Sequence, residues 1–195
     1  RLLAPVREHV RDGVPPAEPD LAGAVDHYAA LATRGQRVGY EGGAEAVARL
    51  GSDWANVEAM LAKGLSRSDP SAILRAACEY ARFVRASGQG TTQSIAAAAA
   101  RASDTGDTAN QARCLECLGD IALDRSDHDG ARARYDAALP LYRQVGQVLG
   151  EANCIWSLGD IALERSDHEQ ARARYELALP LYQRIGSGPG EANCR

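Results

Sequence analysis

From Gln111 to Gly190 the apolar positions fall at helical spacing, and the pattern is written twice. In residues 111–150, Leu115, Leu118, Ile121 and Ala122 recur three and four positions apart, which puts them on one helical face. A polar stretch, Ser126-Asp127-His128-Asp129, breaks the pattern. A second stripe of Ala131, Tyr135, Ala138, Leu139 and Tyr142 follows, and Gly146 closes it. The spacing predicts one helix over about 112–125 and another over about 128–145. Ser126 or Asp127 is the candidate cap of the second helix, and the acid three residues after the serine would complete a capping box. Residues 151–190 repeat the arrangement without a gap. The two copies are identical at 24 of 40 positions, so the segment is a repeat array. A further copy opens at Glu191 as Glu-Ala-Asn-Cys.

A single helical pair cannot bury its apolar face, whereas stacked pairs bury it against one another. Leu118-Gly119 with Ala131, Tyr135 and Ala138, and again Leu158-Gly159 with Ala171, Tyr175 and Ala178, resemble the tetratricopeptide repeat, whose period is about 34 residues. The 40-residue period implies longer helices or turns. Pro140 and Pro180 stand inside the second helices, where a kink offset by packing is expected. The expected fold is all-α, an α-solenoid of tetratricopeptide-like helical hairpins behind an N-terminal helical junction. The small Gly119, Ala122, Ala131 and Ala138 would allow close helix approach.

The organisation then reads as follows. Residues 1–20 end an upstream segment and linker, with a short strand and helix start over Arg1–Val10. Residues 21–70 are a helical junction. Within it, one helix carries Leu21 to Leu31, a short helix ends near Leu50, and Ser52 caps a third. Residues 71–110 are a degenerate repeat, 111–150 and 151–190 are repeats, and 191–195 begin a truncated one. At the same 40-residue offset, Cys78 aligns with Leu118, Phe83 with Leu123 and Gly106 with Gly146. The alanine run 96–100 has high helix propensity but little to pack with.

Arg1–Val10, His27-Tyr28 with Leu31-Ala32, and Asp53-Trp54-Ala55-Asn56-Val57 with Leu61 resemble the junction of bacterial signal-transduction ATPases with numerous domains, the STAND or NB-ARC type. That resemblance implies a C-terminal sensor array in a larger, cytoplasmic signalling ATPase, with the nucleotide-binding module upstream and residues 1–20 as the end of a winged-helix-like segment and linker. The chain itself contains no GxxxxGK(S/T) loop, and Gly186-Ser-Gly-Pro-Gly190 reads as a turn between repeats. The alternative is a stand-alone scaffold or adaptor that binds protein partners. A third reading, an enzyme with a site among the N-terminal helices, lacks converging polar residues.

The net charge of −4 disfavours general nucleic-acid binding, and no apolar run is long enough to span a membrane. No cofactor or metal is expected. The five cysteines read as reduced core residues. Cys114, Cys154 and Cys194 share one repeat position, and Cys114-Leu-Glu-Cys117 lies within a helix with no second CxxC. His128 and His168 read as turn residues. The resemblance to tetratricopeptide arrays implies that the first helix of each pair lines a concave groove. The groove-binding candidates are then Arg113, Glu116, Asp120 and Asp124, followed by Asn153, Trp156, Asp160 and Glu164, with Tyr80 and Phe83 from the degenerate copy. Such a surface would be acidic and would favour a basic or amine-bearing protein or peptide segment. Equally, its acids could be solvated or paired with neighbouring arginines. An apolar end at Leu177, Leu179, Leu181 and Tyr182 would favour self-association.

Overall fold

The structure is a computed structural model that describes residues 18–194. The expectations placed on Arg1–Val10 lie outside those residues. Every regular element described is helical. Helix α1 (Glu18–Ala32) runs into a 3-10 helix (Thr33–Arg37) and is followed by α2 (Gly43–Gly64). Three hairpins then stack: α3 (Ser71–Ser87) with α4 (Gln93–Asp104), α5 (Thr108–Asp124) with α6 (His128–Val145), and α7 (Val148–Glu164) with α8 (His168–Ile185). A short α9 (Gly188–Asn193) begins the next unit against α8. The architecture is an all-α, tetratricopeptide-like solenoid, as the pattern predicts.

The long period has a simple cause. Residues 106, 126, 146, 166 and 186 all adopt left-handed backbone conformations, twenty positions apart. At each, the helix ends the same way. The amide of the following residue reaches back to a carbonyl in the last turn, as in Asp127 N to Ala122 O at 2.9 Å and Gln147 N to Tyr142 O at 3.0 Å. Each 40-residue repeat is therefore two helix–turn units with helices of 17 and 18 residues. Ser126 (φ 59°) and Ser166 (φ 61°) hold the left-handed position without glycine's freedom. This corrects the capping box. Ser126 ends α5, and Asp127 alone caps α6, its carboxylate accepting from Gly130 N at 3.0 Å. Asp167 does the same for α8.

Two further expectations are corrected. The short helix to Leu50 and the helix from Ser52 are one continuous α2. Ala46, Leu50, Val57 and Leu61 share a buried face across Gly51-Ser52, and the Ser52 hydroxyl donates to Arg49 O within the helix. That continuous packing face outweighs the local breakers. The alanine-rich α4 does have something to pack against. Ile95, Ala98, Ala99 and Ala102 are buried, and α4 lies mainly against α5. Small side chains let the two backbones approach. Helices α6 and α8 run through Pro140 and Pro180 without interruption, and both prolines face outward.

Within the α5–α6 and α7–α8 hairpins a first-helix glycine accepts a second-helix tyrosine. A Cβ on Gly119 would sit 2.7 Å from the Tyr135 ring, and one on Gly159 2.6 Å from Tyr175. Two cores result. One joins α1–α4 to the inner face of α5, and the other joins α5–α8.

Candidate functional site

The first helices α3, α5 and α7 line a groove of about 1100 Å³. Cys78, Ala81, Arg82 and Arg85 come from α3, Arg113, Glu116, Cys117, Asp120 and Asp124 from α5, and Asn153 from α7. Tyr40, in the loop before α2, and Leu149 and Ile185, beside the inter-repeat turns, add exposed apolar side chains at its rim.

Glu116, Asp120 and Asp124 share one face of α5 because they lie four residues apart. Their partners come from three helices. Arg85 of α3 is held 2.7 Å from both Asp120 and Asp124, and a second guanidinium nitrogen lies 3.1 Å from Asp124. From α6, Tyr135 donates to Asp120 at 2.8 Å and Tyr142 donates to Glu116. From α7, Asn153 donates to Glu116 at 3.1 Å and accepts from Tyr182 at 3.0 Å. Tyr175 donates to Asp160 at 2.6 Å, repeating the Tyr135–Asp120 bond one unit on. Arg113 pairs with Glu79 of α3.

Burial raises the Glu116 carboxyl above its ordinary 4.5, against the lowering effect of the bonds from Tyr142 and Asn153. Burial likewise raises Asp120 and Asp160; Arg85 opposes the shift at Asp120, and the Tyr175 bond opposes it at Asp160. Burial, reinforced by the adjacent carboxylates, pushes the Tyr135 and Tyr142 hydroxyls well above their usual range, so both remain donors. The floor is a pre-formed polar network held by rigid helices.

The structure brings Arg113, Glu116, Asp120, Asp124 and Asn153 together in this groove. Trp156 stands in an adjoining cleft that shares Glu116, Asp120 and Asn153, and its indole donates to Asn193 O at 3.3 Å. Asp160 is engaged by Tyr175, and Glu164 lies 3.0 Å from His128 Nδ1 at the joint between repeats. Tyr80 and Phe83 do not reach the groove. Both are fully buried and stack at 5.4 Å, with the Tyr80 hydroxyl turned toward Glu58. The error is one of register. Gly88 takes the left-handed place of Ser126 at an offset of 38, not 40, so the α3 residues in register with Glu116, Asp120 and Asp124 are Cys78, Arg82 and Ala86, all of which line the groove.

The acidic surface expected from the sequence is also altered. Arg82, Arg85 and Arg113 line the groove beside Glu116, Asp120 and Asp124, so its charges balance. Asp120 is ion-paired as well as bonded to its own tyrosine, in line with the paired alternative. Sequence reasoning missed Arg85 and the four tyrosines that hold the floor. Tyr135, Tyr142, Tyr175 and Tyr182 recur at matching positions, but an i, i+7 tyrosine pair reads as core. Among the described residues no group of three or more His, Cys, Asp or Glu is placed to hold a metal ion, and no helix is long and apolar enough to cross a membrane.

No curated protein matches the chain. Residues 95–184, from the start of α4 nearly to the end of α8, match the family described as Tetratricopeptide repeat, so the stacked hairpins are tetratricopeptide-like repeats.

Proposed function

We propose that the groove across α3, α5 and α7 holds a segment of a protein partner, and that the array is the sensor region of a larger signalling ATPase. Repeats of this family generally mediate contacts between proteins. One observation carries the reading: a groove of about 1100 Å³ whose walls come from three successive hairpins and whose polar floor is already hydrogen-bonded. A pre-organised floor loses little freedom on binding. The exposed Tyr40, Leu149 and Ile185 offer apolar contacts at the rim. Asp160 lies one repeat beyond Asp120, outside the residues that line the groove, and is bonded to Tyr175; a partner segment that runs on past the groove would set a basic side chain there. The exposed Leu177 on α8 is the feature that would drive self-association, and a monomer in sedimentation at high concentration would remove that part of the proposal.

The resemblance of the junction supports the ATPase context, and the reading frame upstream of Arg1 tests it. A strand, a GxxxxGK(S/T) loop and a helix encoded there, with ATP turnover that responds to occupancy of the groove, is the expected result. An upstream frame without a nucleotide-binding motif would leave the stand-alone scaffold.

A further inference from the structure

We propose that Cys78, Cys114 and Cys117 form an oxidation site beside the groove floor, where a hydroperoxide joins Cys78 to Cys114 and so staples α3 to α5. The Cys78 and Cys114 sulfurs lie 3.0 Å apart, roughly 1 Å beyond a disulfide bond length. Both side chains are fully buried on helices that pack against each other, so the approach is held by the fold. Cys117 is half-buried, lines the groove with Cys78, and donates to the Cys78 carbonyl at 3.7 Å. Three thiols therefore run from the groove into the core.

The CxxC of α5 acquires its meaning here from the third sulfur, on α3, which its own spacing does not reveal. Cys78 is not the repeat equivalent of Cys114: the offset of 38 puts it in register with Glu116. Cys154 and Cys194, which are the repeat equivalents, have no such neighbour: Ser157 replaces the second cysteine of the motif in the next copy.

The chemistry balances with the peroxide as oxidant. The Cys117 thiolate attacks one peroxide oxygen, the O–O bond breaks, and a sulfenic acid forms as the other oxygen leaves as water or alcohol after taking a proton. The Cys78 thiolate displaces water from that sulfur, forming a Cys78–Cys117 disulfide. Cys114 then attacks Cys78 and releases Cys117 as a thiol. Two thiols lose two protons and two electrons, and the peroxide gains them. The bond to Cys114 and burial hold the Cys78 thiol protonated, against the lowering contact with Cys117, and the bond to Cys78 and burial do the same for Cys117, so only a small thiolate fraction reacts and the site stays reduced until peroxide is sustained. The product fixes the spacing of two groove walls.

The test treats the folded protein with hydrogen peroxide, blocks the remaining thiols after unfolding, and maps the peptides by mass spectrometry. The expected result is a fall from five free thiols to three, with Cys78 and Cys114 in one cross-linked peptide pair, reversed by dithiothreitol. Cys117→Ser, which copies the residue already present at 157, should slow cross-linking at least about tenfold and leave the same final pair. Cys154→Ser should change nothing. Cys78 and Cys114 remaining free while Cys117 is over-oxidised would overturn the proposal. A stable Cys78–Cys117 bond as the end product would do the same. Unchanged kinetics in Cys117→Ser would overturn its entry route.

Discussion

Gly119→Ala isolates the packing that holds the α5–α6 hairpin closed. In an unconstrained helix the change would stabilise by about 1 kcal/mol, because alanine is the better helix former. Here the added Cβ would lie 2.7 and 2.9 Å from the Cε1 and Cδ1 atoms of Tyr135, inside any tolerable contact. Tyr135 is fully buried and its hydroxyl is tied to Asp120, so the ring has nowhere to go. Overpacking of this kind costs about 1–3 kcal/mol. Displacing the ring also weakens a hydrogen bond to a charged group, itself about 1.5–3 kcal/mol if lost. Against the propensity gain, the net expectation is about 2 kcal/mol of destabilisation, or a Tm lower by about 4–8 °C for a chain of this size. The second repeat supplies the comparison. Gly159→Ala makes a contact as short, 2.6 Å, with Tyr175, whose hydroxyl is tied to Asp160 in the same way but whose ring is only half-buried and so yields at lower cost. Its destabilisation should be smaller than that of Gly119→Ala by about 1 kcal/mol. Thermal and urea unfolding of both variants decide the matter. Equal effects, or stabilisation by Gly119→Ala, would refute the claim that glycine–tyrosine packing fixes the hairpin angle.

The Glu116 carboxyl predicts a pH dependence with a definite sign. Its folded-state pKa is raised above 4.5, so the folded state holds the proton longer than the unfolded chain. Its contribution to stability is therefore lost as pH rises from about 4.5 upward through the folded-state value. The stability of the native protein relative to Glu116→Gln should fall across that window in urea titrations at stepped pH, and a rising or flat difference would contradict the burial argument. At the hairpin turn, Ser126→Gly should stabilise by a few tenths to about 1 kcal/mol by removing a strained left-handed serine. Asp127→Ala should cost about 1 kcal/mol through the lost cap. Chemical denaturation of the two variants showing the opposite order would restore the capping-box reading.

The hairpins were legible because helical spacing and the near-identity of two copies speak directly to packing. Leu118, Ala131, Tyr135 and Ala138 are buried as their spacing requires. The degenerate copy was legible as an element but not in register. Its turn is built on Gly88 and its second helix is only 12 residues long, so a gapless alignment drifts by two positions and puts the buried Tyr80 where Arg82 belongs. Arg85 was missed for a related reason: its partners Asp120 and Asp124 lie 35 and 39 residues away, and no local pattern joins them. Gly51-Ser52 looked like a break because the packing that overrides it, against α3 and its neighbours, is not local.

The central claim is that a partner segment lies along α3, α5 and α7 and not on the outer helices. Leu149 at the groove rim and Leu177 on α8 are 51% and 58% exposed, so they differ in place far more than in accessibility. A photoreactive amino acid installed at each position in the full-length protein, followed by irradiation in the native cell, compares the two faces directly. The account predicts a discrete cross-linked polypeptide from position 149 that is absent from position 177. Equal cross-linking at both positions, or cross-linking from 177 alone, would contradict it.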